Sequence, residues 1–283
     1  MGRIRNTLTM LAAVLMAALP STLRVCIYRW CYGYTIGRNV QIGFGTVLLR
    51  VRRCTLGDGV RIRSFNLFVD CAELRIGDQA YIGFFNIFRG GERIEIGPYA
   101  TILRTNVINS IVDRDVVGNP TPIFTLGAGA TVTTGHWLDF TDRITIGAHA
   151  IVGGRNSSLW THNRQRSRGI TVGPHCYLGS EIRIAPGVEL GPCCIVALGS
   201  VLLGRGDTNA CQLWAGNPAT VLRELTDHDL FLVTRKTRRD IPDELVRATL
   251  PLEVQRRLSA DEVAVVPVEH QLDDASRSAE VSG

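Results

Sequence analysis

The 283-residue sequence lacks several features that would each assign it to a broad class of protein. Its apolar run over residues 8–19 is too short to cross a bilayer as a helix. Basic residues form no block interleaved with aromatic residues, and the net charge is only +5, so nucleic acid is not an expected partner. The eight cysteines include neither a C-x-x-C metal knuckle nor a redox motif. These absences leave a globular protein whose mild positive charge favours anionic small molecules.

The clearest pattern that is present is a repeat of six residues. From Val172 to Gly204 an aliphatic residue opens every hexad, at Val172, Leu178, Ile184, Leu190 and Val196. A period of six matches neither the 3.6-residue period of a helix nor the two-residue period of one strand. It predicts sets of three short strands joined by turns and stacked on one another, which is an all-β parallel solenoid.

The same pattern runs back along the chain to residue 36. An aliphatic residue followed by glycine recurs, with the glycines at positions 37, 57, 77, 97, 127, 147, 173 and 191. These pairs predict eight rungs, which at about 4.7–4.9 Å each make a prism roughly 35–40 Å tall. Two longer intervals, around Val112–Pro122 and His162–Arg168, predict loops that leave the scaffold, where functional residues tend to lie.

Three columns of residues recur from rung to rung. A small or β-branched column is expected to point inward at a tight corner: Val40, Val60, Ala80, Ala100, Ala130, Ala150, Cys176 and Cys194. The preceding column is expected to be a solvent-facing turn: Asn39, Gly59, Gln79, Tyr99, Gly129, His149, His175 and Cys193. A polar column is expected to form a hydrogen-bonded ladder: Thr46, Asn66, Asn86, Asn106, His136 and Asn156. Because two cysteines fall in the inward column, we expect reduced cysteines and a cytoplasmic protein.

Composition and patterning divide the chain into five segments. Residues 1–33 are predicted to form an N-terminal apolar helix and cap, and residues 34–204 the solenoid. Residues 205–225 complete the final coil, and residues 226–258 carry the patterning of a helical extension. Residues 259–283 are small and polar, so we expect this tail to be disordered.

Three interpretations of the N-terminal segment stay open, since Arg3 and Arg5 precede its apolar run. It can be an interfacial or capping helix, a cleaved signal, or a membrane anchor. The first is preferred, because the sequence after the run gives no convincing cleavage site. The apolar run also suggests peripheral contact with the inner face of the membrane. Residues 21–34 are expected to plug the open end of the prism, where an uncovered rung would expose strand edges.

The hexads, together with Trp160-Thr161-His162 and with the ending Trp214-Ala215-Gly216-Asn217-Pro218-Ala219, resemble the hexapeptide-repeat acyltransferases. The branch that O-acetylates sugars and exopolysaccharides is the most similar one, and the resemblance covers about Gly33–Leu225. It implies a left-handed parallel β-helix, although a general preference for right-handed crossovers would predict the opposite hand. It also implies a homotrimer that uses acetyl-CoA as acyl donor, a sugar hydroxyl as acceptor, and no metal.

The implied reaction needs a base for the hydroxyl proton, and imidazole suits this role near neutral pH. His162 lies where the family has its catalytic histidine and is the expected base. Counting along the third strand of each rung places Asp142 in register with His162, where its carboxylate would fix the imidazole tautomer. His136 has two interpretations, a member of the polar ladder or a contact to the acceptor together with Asp139.

The resemblance also assigns residues to the two substrates. Around the acceptor it places His136, Asp139, Trp160 and Asn163. For the coenzyme A arm, in a groove between two subunits, it implies Ser180, Ala197 and Leu198, with Arg223 near the phosphates. The sequence departs from the family at two positions, since Thr220 replaces a basic residue and Leu198 is bulkier than the usual small residue.

Other functions remain open at this stage. A solenoid trimer can be a non-catalytic scaffold, and fold alone does not decide this. Within the family, the acceptor can be serine or a nucleotide-sugar amine instead of a sugar hydroxyl. A metal enzyme resembling the γ-class carbonic anhydrases would need three converging histidines, and the sequence lacks the close pair on one rung.

Overall fold

The computed structural model describes residues 2–111, 119–204 and 208–258. Most of the loop predicted around Val112–Pro122 falls outside these ranges, and the tail predicted to be disordered, residues 259–283, falls wholly outside them.

The solenoid has three faces, each a parallel sheet in which successive rungs are neighbours. The strands of the first face are Thr35–Ile36, Arg53–Leu56, Glu73–Ile76, Arg93–Ile96, Ile123–Leu126, Ile144–Ile146, Ile170–Val172 and Glu189–Leu190. Those of the second face are Gln41–Ile42, Arg61–Ile62, Tyr81–Ile82, Thr101–Arg104, Thr131–Thr134, Ile151–Arg155, Tyr177–Leu178 and Ile195–Val196. Those of the third face are Val47–Leu49, Leu67–Val69, Ile87–Arg89, Val107–Asn109, Trp137–Asp139, Ser158–Trp160, Arg183–Ile184 and Val201–Leu202.

The register of these strands confirms the eight-rung solenoid. Ile76, which opens the third rung, pairs with Leu56 below it and with Ile96 above it. Each aliphatic residue that opens a hexad therefore stacks on its equivalent one rung away. The repeat of six arises because each face contributes one short strand and one turn.

The predicted turn column has one backbone conformation in every rung. All eight residues adopt a positive φ between 55° and 67°: Asn39, Gly59, Gln79, Tyr99, Gly129, His149, His175 and Cys193. This left-handed conformation turns the chain sharply and brings the next residue inward, where only a small side chain fits. Ala80 and Ala100 are fully buried there, as predicted for the inward column.

The polar ladder forms as expected over the first rungs. Asn86 Nδ2 donates to Asn66 Oδ1 at 3.0 Å, and Asn106 Nδ2 donates to Asn86 Oδ1 at 3.1 Å. Each of the two amides also donates to a backbone carbonyl, that of Leu103 for Asn86 and that of Thr133 for Asn106. Because the buried amides are paired in this way, they can lie at the edge of an apolar core without the cost of unsatisfied polar groups.

Two helices cover the open end of the first rung. Helix α1 spans Gly2–Ala18 and helix α2 spans Ser21–Trp30. The buried Arg24 of α2 donates to the carbonyl oxygens of Ile42 and Thr46, and Ser21 Oγ accepts from the amide of Ile42. These bonds satisfy backbone groups that the edge of the solenoid would leave exposed, which confirms the cap.

Among the described residues, no helix is both long enough and apolar enough to span a membrane.

The chain leaves the solenoid through a hairpin and a helical extension. Strand Gln212–Gly216 adds to the second face and pairs antiparallel with Ala219–Glu224. Helices α3 (Asp227–Thr234), α4 (Asp243–Arg247) and α5 (Leu252–Arg257) follow. The three helices bury Leu230, Val246 and Val254. The extension therefore packs back onto the later rungs.

Candidate active site

Between the second and third faces, the sixth rung contains one residue more than the rungs below it. Leu138 lies six positions after Val132, whereas Leu159 lies seven positions after Val152. The register shifts between Val132 and Thr134, at a bulge in the second face that contains Gly154. Gly154 has φ of 63°, and an added Cβ would lie 1.6 Å from Ser180 Oγ. The bulge therefore requires glycine at this position.

The bulge moves the residues that follow it by one position. Ser157 is buried and its amide donates to His136 Nδ1, so it occupies the ladder position that was predicted for Asn156. Asn156 lies at the exposed corner with φ of 60°, which corrects its assignment to the ladder. On the third face, Asp139 pairs with Trp160 across 21 residues in place of the usual 20. The side chains around His162 are therefore displaced from the register that a regular repeat would give.

The segment from Thr161 to Arg168 forms a tight hairpin beside the third face. His162 and Ser167 make an antiparallel bridge, and the amide of Arg168 donates to the carbonyl of Thr161 at 2.8 Å. Asn163 Oδ1 accepts from the amides of Gln165 and Arg166, at 2.9 and 3.0 Å. The Asn163 side chain therefore holds the tip of the hairpin, and the base of the hairpin fixes the backbone of His162.

His162 and Asp139 form a hydrogen-bonded pair at the base of this hairpin. His162 Nδ1 lies 3.0 Å from Asp139 Oδ1. The imidazole side chain is 21% exposed, whereas the carboxylate is fully buried. A carboxylate oxygen accepts, so Nδ1 carries the proton and the neutral ring keeps its lone pair on Nε2. The pair thus combines a partly exposed imidazole with a fully buried carboxylate that orients it.

The two carboxylate oxygens of Asp139 differ in their hydrogen bonds. Oδ1 also accepts from the amide of Thr141 at 3.1 Å, and no partner is found for the buried Oδ2 among the described residues. A buried carboxylate oxygen without a partner costs free energy, and such groups in native proteins are concentrated at functional sites. The arrangement is consistent with a site whose geometry serves more than stability.

Asp142, expected to orient His162, has other partners. Its oxygens accept from the amides of Thr121 and Arg143 and from Ser167 Oγ, at 3.2, 2.8 and 3.1 Å. The bulge in the sixth rung is the reason, because it removes His162 from the register on which the assignment to Asp142 relied. Asp142 therefore secures the hairpin, and Asp139 is the carboxylate that contacts the imidazole.

Two tryptophans form an exposed aromatic surface on the third face next to the pair. The rings of Trp137 and Trp160 stack with centroids 6.0 Å apart and planes 20° apart. Trp137 is 40% exposed and Trp160 is 39% exposed. Trp160 was expected at the acceptor site, whereas sequence reasoning missed Trp137. Its position directly after His136, in the rung below Trp160, was the available signal.

His136 is a buried member of the ladder and does not reach solvent. It is 1% exposed, its Nδ1 accepts from the amide of Ser157 at 3.1 Å, and its Nε2 lies 2.9 Å from Thr133 Oγ1. Burial lowers the pKa of His136 to about 4. Since both ring nitrogens are occupied, the ladder interpretation fits the structure, and the assignment of His136 as a contact to the acceptor does not.

His149 and His175, expected to be solvated, are buried beneath the helical extension. Their rings stack at 5.1 Å. His149 Nε2 lies 3.2 Å from the carbonyl oxygen of Leu245, and His175 Nδ1 lies 3.1 Å from that of Val233. Burial lowers the pKa of both, that of His175 to about 3. The expectation failed because the extension covers the corner that an isolated solenoid would expose.

The residues expected to hold the acyl donor are close to one another but not to His162. Ser180 and Leu198 lie at the same corner on consecutive rungs, where the amide of Gly199 donates to the carbonyl of Ser180. The amide of Ala197 donates to the carbonyl of Trp214 at 2.9 Å. This corner precedes the strands of the third face and His162 follows them, so the two lie at opposite ends of that face. Within one chain, the two halves of the expected site are therefore separate.

Arg223 is engaged in an ion pair at the start of the extension. Its guanidinium contacts Asp229 at 2.5 and 3.2 Å, and Asp229 completes a capping box with Thr226. Hydrogen bonds from Arg223 and Thr226 lower the pKa of Asp229 well below its usual range.

Within residues 2–111, 119–204 and 208–258, histidine, cysteine and acidic side chains form no group of three or more placed to hold a metal.

Comparisons with known proteins give partial matches in sequence and a broader match in fold. The chain is 35% identical over 60 residues to the Saccharomyces cerevisiae protein YJL218W, provisionally named an acetyltransferase. It is 33% identical over 89 residues to Escherichia coli WcaF, provisionally named a colanic acid biosynthesis acetyltransferase. These matches cover 21% and 29% of the chain, and 30% and 47% of the two relatives, so the chain spans less than half the length of each relative. No protein-family model matches the sequence.

Among solved structures, the chain is similar to the UDP-N-acetylglucosamine acyltransferase of Campylobacter jejuni. The TM-score is 0.52 at 18% identity, and the match covers 82% of this chain and 89% of that one. At this identity the likeness shows the fold, which is consistent with the expected left-handed β-helix. The resemblance to acyltransferases built on this solenoid is thereby confirmed, and the sequence relatives are named as acetyltransferases.

Proposed function

We propose that the protein is an O-acetyltransferase that moves acetyl from acetyl-CoA to a hydroxyl of a sugar or exopolysaccharide precursor. The observation that carries this proposal is the partly exposed His162 imidazole, oriented by the fully buried Asp139, on a solenoid of the acyltransferase type. The name of the Escherichia coli relative supports a polysaccharide precursor as acceptor. We place the protein in the cytoplasm, where acetyl-CoA is made.

In this mechanism His162 acts as general base and Asp139 as its positioning residue. Nε2 takes the proton of the acceptor hydroxyl while the hydroxyl oxygen attacks the thioester carbonyl carbon. Asp139 keeps the proton of the ring on Nδ1 and stabilises the imidazolium that forms. The tetrahedral intermediate then expels the coenzyme A thiolate, which takes the proton from Nε2. The base is thereby restored, and no other co-reactant is needed.

The surroundings of His162 suit a sugar as acceptor. The stacked Trp137 and Trp160 present aromatic surface against which the apolar face of a sugar ring can pack. Three arginines of the hairpin, Arg164, Arg166 and Arg168, are exposed beside His162 and favour an anionic substrate. Such a substrate can be an acidic or nucleotide-linked sugar, or the phosphates of the donor.

The separation of the donor corner from His162 within one chain supports a homotrimer. A pantetheine arm that follows Ser180, Ala197 and Leu198 on one subunit would meet His162 of a neighbouring subunit in the groove between them. Leu198 is 70% exposed in the single chain, and contact with a neighbour or with the arm would cover it. Sedimentation or light scattering of the purified protein gives the number of subunits directly.

The test measures binding and transfer separately. We expect saturable acetyl-CoA binding near one site per subunit by titration calorimetry, for the wild type and for His162→Ala alike. We expect His162→Ala to lower the rate of acetyl transfer by about 10²–10⁴-fold, the usual contribution of a general base. The hairpin should remain folded, because its backbone bonds do not involve the ring.

His228→Ala is the matched control, since His228 is exposed on α3, far from the pair in sequence. It should retain wild-type transfer. Equal rates for His162→Ala and wild type would refute the mechanism even if the donor binds. Absence of donor binding by a folded protein would instead favour the non-catalytic scaffold.

A further inference from the structure

Helix α1 is oriented against the usual pattern of a surface helix. Its residues Ala13 and Ala17 are buried against the first rung, at 7% and 4% exposure. The large apolar residues of the described part of the helix face away from the solenoid, with exposures of 52–65%: Met10, Leu11, Val14 and Leu15. A helix in a soluble protein normally buries its large apolar residues and exposes polar ones. The outward face of α1 therefore lacks the partner that its chemistry requires.

A further exposed apolar side chain lies on the first rung, next to the end of α1. The amide of Gly45 donates to the carbonyl of Ala17 at 2.9 Å, which joins the end of α1 to the corner beside Phe44. Phe44 is 58% exposed, and its ring packs edge-on against that of Phe65. Large exposed apolar residues gathered at one end of a molecule indicate an interaction site. At 17 residues, α1 is about 25 Å long, so it can lie along a surface.

The same end of the molecule is strongly basic. No acidic residue precedes Asp58, whereas eight arginines do. Residues 1–75 contain eleven arginines against Asp58, Asp70 and Glu73, a net charge of +8, while the whole chain carries only +5. The remainder of the chain is therefore net negative. Arg52 lies in this region at an exposed position of the first rung.

We propose that the capped end of the solenoid binds the surface of an anionic lipid bilayer, with the outward face of α1 lying in the interface. A bilayer surface accepts both features at once, because its acyl region covers the apolar face and its anionic headgroups attract the arginines. A second copy of the chain docked through the same face would bring two basic ends together, which is unfavourable. Charge complementarity therefore selects an anionic membrane as the occupant. This inference does not depend on the proposed reaction.

The first test is co-sedimentation of the full-length protein with vesicles. One set is pure phosphatidylcholine, and the other contains phosphatidylcholine and phosphatidylglycerol at about seven to three. We expect at least about tenfold tighter binding to the anionic vesicles, weakened by added salt. Equal binding to both sets, or no binding to the anionic set, would overturn the proposal.

Paired variants test the two contributions. Leu15→Asp places a charge in the apolar face of α1, and Leu252→Asp makes the same change at a residue of α5 that is 70% exposed. Arg52→Glu reverses a charge at the basic end, and Arg256→Glu reverses one at an exposed position of α5. We expect Leu15→Asp to weaken binding to anionic vesicles by about tenfold or more, and Arg52→Glu by several-fold.

The two changes in α5 should leave vesicle binding unaltered. If Leu15→Asp and Leu252→Asp weaken binding equally, the apolar face of α1 is not the contact and the proposal fails. If Leu15→Asp changes the oligomeric state of the protein and leaves vesicle binding unchanged, the occupant is a second copy and the proposal is likewise overturned. No step of this test measures acetyl transfer, so its failure would leave the proposed function untouched.

Discussion

The solenoid places histidines in two neighbouring regions with opposite properties. His162 projects from a hairpin, is partly exposed, and donates to a buried carboxylate. His149 and His175 stack on each other beneath the helical extension, and the backbone oxygens that they contact belong to that extension. The difference shows that a regular scaffold does not decide the role of an imidazole. Its partner and its access to substrate decide it.

The partner is what distinguishes the two regions chemically. A carboxylate beside Nδ1 stabilises the charged ring that forms when a base takes a proton. The carbonyl groups around His149 and His175 fix neutral rings, and burial lowers the pKa of both. The first arrangement suits proton transfer, and the second suits attachment of the extension to the solenoid.

The largest effect that tests this distinction is expected from Asp139→Asn. The substitution keeps the size of the side chain but removes its charge, so the preferred tautomer of His162 and the stability of its imidazolium are both lost. By analogy with other oriented imidazole bases, we expect transfer to fall by about 10²–10⁴-fold, roughly 3–5 kcal/mol in activation free energy. The rates should be compared at saturating acetyl-CoA and over a range of pH, where a positioning role alters the profile of kcat.

Asp142→Asn is the matched control, because Asp142 lies three residues further on and contacts the hairpin instead of the ring. It should transfer acetyl at close to the wild-type rate. If both variants lose activity equally, the carboxylates act through the fold of the hairpin, and the assignment of Asp139 as the orienting residue is wrong.

The repeat made the solenoid predictable, because each rung places its aliphatic, small and amide residues at fixed positions along the chain. The His162 hairpin was predictable as a departure from that repeat. The carboxylate that contacts His162 was not predictable, since the extra residue near Gly154 changes the register by one and brings Asp139 to the ring in place of Asp142. The burial of His149 and His175 was also hidden, because the extension that covers them reaches back from residues more than 50 positions away.

A smaller effect, on stability and not on chemistry, is expected from His175→Ala. The substitution leaves a cavity beside His149 and removes the partner of the Val233 carbonyl and of Thr249 Oγ1. We expect the free energy of unfolding to fall by about 2–3 kcal/mol, as for other losses of buried, hydrogen-bonded side chains. Denaturant unfolding measures this, and transfer per folded molecule should match the wild type. His162→Ala should show the reverse pattern, and equal destabilisation by the two would remove the distinction between the regions.

The smallest effect is expected in the dependence of the free energy of unfolding on pH. Its direction follows from the lowered pKa of His175 in the folded protein. Burial lowers the pKa of His175 to about 3 in the folded protein, and an unfolded histidine titrates near 6.5. Below about pH 6.5 the unfolded chain therefore binds a proton that the folded chain excludes, so stability falls as the pH falls towards 3. At pH 5 the loss from this one group is about 2 kcal/mol relative to pH 7, and His136 adds to it in the same direction.

His175→Asn should flatten the curve of stability against pH between pH 7 and 5 by about that amount. Thr249→Val, which removes a hydrogen bond but keeps the ring, should be less stable throughout yet retain the slope. An unchanged slope in His175→Asn would mean that the ring is not held neutral beneath the extension, and the contrast with His162 would lose its basis.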